Sequence, residues 1–450
     1  MKFLSLIFSL GVLACPTFAA DAPKQKPNVL FIVVDDLKPL LGCYGTSWIK
    51  SPNIDRLASR GTLFTASYCQ VSFCAPSRMS VLTGLRPDTT RVFFNPAQQE
   101  DILRTRFPDI VTLPQQFKSH GYITCGMGKV FDGRTVDKGD DTMSWLVPYV
   151  RRYDIAPGEL PDKPGYQNPE TKKRVAQGLP GPPVECEDLP DNAYRDGAMA
   201  LTAAAKLRDF AKGGRPFFLA VGFVKPHLAF IAPKKYWDLY DRAALPLAPF
   251  QELPTSSPHD LAFYSNSGEL RERAGVPKTG PIKESMQREL IHGYAACVSY
   301  IDAQVGLLMK TLDEMRIADN TIICLWGDHG WHLGEHGHWG KVTNYEDATR
   351  APLIIATPGQ KSGNRVTAPV EFLDIYPTLC DLAQVNILSP LGVKMNTRII
   401  GVRYNNVFAI KKPLTVSFRV LFESSTIKRA RVEIGISKNR SCIIARIVLV

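Results

Sequence analysis

Two uninterrupted apolar runs constrain this chain more than any other feature. Asn28-Val29-Leu30-Phe31-Ile32-Val33-Val34 and Thr321-Ile322-Ile323-Cys324-Leu325-Trp326 are rich in β-branched and aromatic residues and lack polar alternation. Each suits a strand covered on both faces. Covering both faces requires helices above and below one sheet, which predicts an α/β fold. The intervening pattern agrees. Segment 51–61 opens a helix at Ser51-Pro52 and stops it at Gly61, and a second helix is expected from Pro76-Ser77 to about Gly84. An Ala-rich helix near 192–212 precedes a buried strand, Phe217 to Val221. Over 287–317 a stripe of Leu290, Tyr294, Val298, Ile301, Val305 and Leu308 recurs at steps of three and four, continuing to Met315. Pro352 to Ala356 reads as a further strand. Residues 148–190, with nine prolines, read as an irregular surface insertion, and 241–285 as loop-rich.

Charge places the odd part of the chain. The totals are 54 Lys+Arg and 43 Asp+Glu, net +11, but residues 386–450 alone hold 12 basic and 2 acidic side chains. Residues 1–385 therefore carry 42 basic and 41 acidic side chains, near neutrality. The basicity belongs to the last segment and says nothing about the partner of the main body, so no nucleic-acid partner is expected. A hydrophobic content of 45% with 22% charge excludes a disordered or polytopic membrane chain.

Residues 1–19 read as an export signal. Lys2 supplies the positive end, Phe3 to Ala14 the apolar stretch and Thr17-Phe18-Ala19 the small-residue cleavage site. The apolar stretch is too short to span a bilayer of about 30 Å, so no transmembrane segment is expected and the mature chain is expected to be periplasmic or secreted. Val12-Leu13-Ala14-Cys15 offers lipid anchoring at Cys15 as the lesser alternative. The ten cysteines form no CxxC zinc pattern and read mostly as buried thiols.

Both apolar runs end on acidic residues, Asp35-Asp36 and Asp328-His329. In open α/β sheets the carboxyl ends of strands are where ligands bind. Neighbouring strand residues face opposite ways, so Asp35 and Asp36 share one ion only if the backbone turns there, as Lys38-Pro39 suggests. Three carboxylates favour Ca²⁺ or Mg²⁺. The histidine leaves Mn²⁺ or Zn²⁺ open.

A third segment joins these pairs. Cys74-Ala75-Pro76-Ser77-Arg78, with Thr83-Gly84 downstream, resembles the signature of the type I sulfatases, whose cysteine is oxidised by a formylglycine-generating maturation enzyme. NVLFIVVDDLKPLLGCYG, CAPSRMSVLTGLRPDTTRV and GDHGWHLGEHGHWGK are similar to the iduronate-2-sulfatase branch, and ordered similarity runs from about residue 27 to 385. The resemblance implies an alkaline-phosphatase-like fold with a catalytic domain over 20–385. It implies a Ca²⁺ site of Asp35, Asp36, Asp328 and His329 with formylglycine at Cys74. One hydroxyl of the hydrated aldehyde would attack sulfur in line, and the other would then expel sulfate. By position, Arg78 and Lys129 would hold the hydrate, Lys341 a sulfate oxygen, and His227 would protonate the leaving alcohol. Lys225 would support substrate binding. His332, His336 and His338 cluster with His329, but the family uses only His329 as ligand, and the other three read as loop residues. The implied substrate is a sulfated oligosaccharide or polysaccharide bearing 2-O-sulfated uronic acid. The rivals are a phosphomonoester or phosphodiester hydrolase of the same superfamily and a non-catalytic polyanion-binding protein.

Two departures from the family pattern stand out. Family members carry a histidine after Gly128-Lys129-Val130-Phe131, where this chain has Asp132-Gly133, and a carboxylate there would repel a sulfate. From Asn386 onward the family's C-terminal pattern is replaced by the basic, Val/Ile/Arg-rich segment, which reads as a frameshift product or a divergent subdomain.

Overall fold

In the computed structural model of the protein the described residues are 26–151, 154, 165–252, 268–360 and 362–387, with three strands, Leu414–Val420, Lys428–Ile436 and Ile443–Leu449. The leader expected over 1–19, Cys15 and Cys442 lie outside them.

The main sheet has seven strands, β1 (Asn28–Val34), β2 (Thr62–Phe64), β3 (Ile123–Gly128), β4 (Phe217–Phe223), β5 (Thr321–Gly327), β6 (Leu353–Ala356) and β7 (Asn364–Val366). In space they run β7-β2-β6-β5-β1-β4-β3. The pairs β5/β1, β1/β4 and β4/β3 are parallel, while β6 is antiparallel to both β5 and β2. The register explains the site. Val34 pairs with Gly327 on one side and Phe223 on the other, and Gly128 pairs with Gly222. Four adjacent strands thus end level, and the residues that follow them emerge along one edge.

Both faces are covered, as the apolar runs require. Leu30, Ile32 and Val34 face a core shared with α1 (Pro52–Arg60), α3 (Arg195–Gly213) and α4 (Glu284–Glu314). Phe31 points the other way, with ring centroids 5.7 Å from Phe218 and 5.8 Å from Trp326. Phe117, from helix Leu113–Ser119, stacks 4.8 Å from Phe218, and Phe372 lies 5.5 Å from Trp326. Each fully buried aromatic of this layer contributes roughly 1.5–3 kcal/mol. Helix α4 is buried well beyond its sequence stripe, because Ala295, Ala296, Cys297, Tyr300 and Met309 on its flanks are also enclosed.

Two expectations need correction. Helix α2 spans Cys74–Thr83, so Cys74 is its first residue rather than a residue before it. Phe73 is the extended N-cap, and Pro76 falls in the first turn, where its missing N–H costs nothing. The region 148–190 contains helix Pro169–Ala176 and strand Val184–Glu187. Asn168 caps that helix, its Oδ1 accepting from Glu170 N at 3.0 Å and Thr171 N at 3.1 Å. The eight cysteines among the described residues are free, and Cys186 is exposed.

The chain divides into two compact units, 1–397 and 398–450. In the second unit the three strands form an antiparallel sheet with Lys428–Ile436 central. No helix among the described residues is long and apolar enough to cross a membrane.

Candidate active site

The level strand ends deliver Asp35-Asp36 from β1, Asp328-His329 from β5, Lys129 from β3 and Lys225 beyond β4. Backbone bonds lock this edge: Asp35 N donates to Phe223 O at 3.2 Å and Asp328 N to Val34 O at 3.1 Å. The turn expected after Asp35 is present, since Asp36 adopts a left-handed φ of 57°. Tyr294 of α4 pins it, donating its hydroxyl to Asp36 O at 2.8 Å and accepting from Lys38 N at 2.9 Å.

Helix α2 brings Cys74 to these acids. Its Sγ, standing where the oxygens of an oxidised side chain would sit, is 3.4 Å from Asp35 Oδ1, His329 Nε2 and Lys129 Nζ and 3.6 Å from Lys341 Nζ. One helical turn on, Arg78 donates from Nη2 to Asp35 and from Nε to Asp328, both at 3.0 Å, and from Nη1 to the carbonyls of Lys129 and Val130. Lys129 Nζ lies 2.5 Å from Asp35 Oδ2, and Lys341 Nζ 2.9 Å from Asp36 Oδ1 and 3.3 Å from Glu269. Asp35, Asp36, Cys74, Arg78, Lys129, Asp328, His329 and Lys341 thus converge on one point.

Charge at this point is unevenly held. Burial alone would raise the Asp35 carboxyl, but Lys129 and Arg78 hold it well below the usual range. Burial raises Asp36 well above that range, Lys341 opposing and Asp35 adding. Asp328 is pushed up to about 7 by burial, against Arg78. Burial, then Lys341, keeps His329 neutral, the form that ligates metals. Burial and the Asp35 carboxylate hold the Cys74 thiol protonated, so as a plain thiol it is a poor nucleophile.

The donor set fits a hard cation. Asp35, Cys74, Asp328 and His329 offer ligand atoms within 4.8 Å of one another, as do Asp35, Asp36, Cys74 and His227. Asp36 Oδ2 is buried without a hydrogen-bond partner among the described residues. His329 Nδ1 donates to Gly330 O at 3.0 Å, which leaves the Nε2 lone pair facing Asp36 and Asp328, each at 3.5 Å. Donor oxygens gathered on one point, two of them on carboxyls that burial drives toward protonation, are what a metal ion relieves.

The remaining expected residues are set around a cavity of about 870 Å³ lined by Lys129, Asp132, Arg134, Lys225, His227 and Glu269, among others. His227 Nδ1 donates to Leu228 O at 2.7 Å, leaving Nε2 4.0 Å from Asp36 Oδ2, and burial followed by Lys341 holds its pKa well below the ordinary value. Lys225 Nζ donates to the carbonyls of His227 at 2.7 Å and Ala229 at 2.6 Å, so it braces the His227 loop besides lining the cavity. His332 is turned away from the Cys74 cluster, bonding Thr343 Oγ1 at 2.8 Å. With Glu335 and Asp347 it forms a second group of metal-ligand type, but Lys38 Nζ already sits 2.6 Å from Glu335 and 2.9 Å from Asp347.

Sequence reasoning missed several contributors. Asp196 accepts from Val224 N at 2.9 Å and Lys225 N at 2.8 Å, shaping the chain before His227. Asn95 Oδ1 accepts from Ala75 N at 2.9 Å, satisfying an orphan donor of α2. The Asp132 carboxylate is neutralised by Arg134, with Nε to Oδ1 at 2.8 Å and Nη2 to Oδ2 at 2.7 Å, so the expected repulsion of sulfate is largely offset. The one available signal was the i, i+2 spacing of Asp132-Gly133-Arg134.

A family model described as Sulfatase matches residues 27–385. The chain is 38% identical over 420 residues to an iduronate 2-sulfatase of Mus musculus, covering 85% of this chain and 73% of that one. It is 37% identical over 405 residues to the Homo sapiens iduronate 2-sulfatase, covering 82% and 71%. Among solved structures it is similar in fold to a phosphonate monoester hydrolase of Agrobacterium radiobacter, with a TM-score of 0.61, 18% identity and coverage of 94% and 89%.

Proposed function

The chain belongs to the sulfatase family, in its iduronate-2-sulfatase-like branch with an alkaline-phosphatase-like fold, and on that premise we propose that it is an exported enzyme that removes 2-O-sulfate from uronic acid residues of sulfated carbohydrates. It is a sulfuric ester hydrolase; the finer reading concerns how and on what it acts. The observation that carries the reading is the set of contacts at Cys74 Sγ, where two carboxylate-bearing strand ends, a histidine and two ammonium groups lie within 3.6 Å or are joined to those that do.

Asp35, Asp36, Asp328 and His329 would hold a divalent cation, Ca²⁺ by the oxygen-rich donor set, with Mg²⁺ as the alternative. That ion supplies charge to polarise a sulfate oxygen and favour a deprotonated nucleophile. Oxidised to formylglycine by a maturation enzyme, residue 74 would supply a hydrated aldehyde with one hydroxyl to attack sulfur and a second to expel sulfate and regenerate the aldehyde.

The chain's own residues do the rest. Arg78, fully buried, fixes Asp35 against Asp328 and so sets the ligand spacing. Lys129 and Lys341 flank position 74 from two sides and would hold the nucleophile and a sulfate oxygen, stabilising charge as the S–O bond breaks. His227 Nε2 faces the cavity side of Asp36 and would protonate the departing sugar oxygen. The arriving sulfate ester adds negative charge beside the ring and raises its proton affinity for that task. Support for a carbohydrate comes from the named relatives and from the volume of the cavity.

The test is sulfate release from a panel of sulfated disaccharides by protein made with a formylglycine-generating enzyme, with and without Ca²⁺. Release from 2-O-sulfated uronate disaccharides, lost on chelation, is expected. Turnover of aryl phosphate in preference to every sulfate ester would overturn the reading.

A further inference from the structure

The Asp132–Arg134 pair lies outside the machinery described above, yet it faces the same cavity. Asp132 is 3% exposed, and both carboxylate oxygens are engaged by Arg134. Oδ1 also accepts from Arg134 N at 3.1 Å, while Thr135 Oγ1 and N bond the Asp132 carbonyl, both at 2.9 Å. The turn is therefore stiff, and the guanidinium is held in one orientation. Its Nε and Nη2 edge is occupied by Asp132. Nη1 has no hydrogen-bond partner among the described residues, and the side chain is 41% exposed. Arg134 lines the cavity beside Lys129 and His227 and is close enough to Asp35 to interact with its charge.

Other cations line this cavity too, Lys138, Arg195 and Arg273 among them. Lys225 is bound to two carbonyls, Lys129 to Asp35, and Arg151 lies 3.7 Å from Asp140. Arg134 presents its remaining N–H groups from a plane that Asp132 fixes. A guanidinium edge matches the two oxygens of a carboxylate or sulfate. Because Asp132 has already ordered the side chain, little further entropy is lost on binding.

We propose that Arg134, positioned by Asp132, is a specificity-determining residue that binds a second anionic group of the substrate, a sugar carboxylate or a second sulfate, lying outward of the sulfate ester at residue 74. This rests on the sulfatase reading and names the feature of substrate that the site selects. The pair adds no net charge, so its contribution is directional rather than a general attraction for anions.

The test compares three 2-O-sulfated disaccharides: one with a free uronate carboxylate, its carboxyl-reduced counterpart, and the reduced form bearing a second sulfate. Matured, Ca²⁺-loaded wild type and the Arg134→Met, Arg134→Lys and Asp132→Asn variants are assayed on each. For Arg134→Met, kcat/KM on a dianionic substrate is expected to fall on the order of 10–100-fold further than on the reduced disaccharide, mainly through KM, as loss of a charge-assisted hydrogen bond predicts. Arg134→Lys, which keeps the ion pair and loses the fork, should retain part of the preference and serves if the Met variant does not fold. Asp132→Asn should shift the same ratio less. A loss confined to the carboxylate substrate assigns the group as carboxylate, and one confined to the disulfated substrate assigns it as sulfate. Equal losses on all three, or none, would overturn the proposal while leaving the sulfatase reading standing. A wild type that releases sulfate from none of them would overturn both.

Discussion

Arg78 and Asp328, 250 residues apart in the chain, meet as a fully buried ion pair with Nε 3.0 Å from Oδ2. The same guanidinium reaches Asp35 at 3.0 Å, so one side chain on α2 ties together the ends of β1 and β5. Removing it leaves two carboxylates buried without their counter-charge. Arg78→Ala should cost about 3–5 kcal/mol, read as a fall in the urea midpoint, with activity lost. Arg78→Lys should recover part of the stability but little activity, since an ammonium cannot span both carboxylates. Wild-type stability in the Ala variant would contradict this.

Metal binding should be coupled to protons. Asp328 titrates at about 7 because burial outweighs Arg78, so below that pH a cation must displace a proton. Calorimetric titration should show Ca²⁺ affinity rising as pH increases from about 5.5 to 7 and levelling above, with protons released to buffer. The sign for stability is opposite. A carboxyl raised above its unfolded value near 3.8 stabilises the metal-free fold fully only below that value, and this contribution is lost as pH rises through about 7. The metal-free protein should therefore lose this contribution toward pH 8, and Ca²⁺ should restore stability there. A pH-independent affinity would count against the assignment of Asp328.

Lys38 substitutes for a metal at the neighbouring acidic group. Its ammonium lies between Glu335 and Asp347, with its side chain 9% exposed. Lys38→Met should destabilise by about 2–3 kcal/mol, less than a fully buried pair because the carboxylates are partly open to solvent. Thermal melts check this, and added Zn²⁺ should recover part of the loss in the variant but not alter wild type.

Glycine 222 sets the position of Lys129. A Cβ there would overlap the Lys129 carbonyl carbon and oxygen, and Lys129 N donates to Gly222 O at 2.7 Å. Gly222→Ala should push the β3 end outward and lower kcat on the order of 100-fold without changing any group at the site. Unchanged kcat would show that Lys129 tolerates displacement.

Much of the sheet and the acidic cluster was legible because the relevant signals are local. An unbroken apolar run specifies a strand covered on both faces, and Asp35-Asp36 and Asp328-His329 simply follow such runs. Cys74 and Arg78 were legible through a family signature, not through spacing alone. What the sequence hid were partners set by the fold. Lys38 reads locally as half of a turn, yet its charge serves Glu335 and Asp347 about 300 positions away. Asp132 reads as repulsive to sulfate until Arg134 folds back onto it. Strand β7, exposed and short, is defined by pairing with β2 rather than by its own pattern. The helix in 148–190 was masked by prolines, although Asn168-Pro169 is a favourable helix start.

The most direct measurement is sulfate release by matured, Ca²⁺-loaded wild type and Cys74→Ala on a 2-O-sulfated uronate disaccharide, with mass spectrometry of the peptide containing residue 74. A wild-type peptide about 18 Da lighter than the thiol form, as expected for conversion of a thiol to an aldehyde, and a loss of at least about 10³-fold in the variant are predicted. An unmodified thiol in active wild type, or undiminished turnover in Cys74→Ala, would contradict the account.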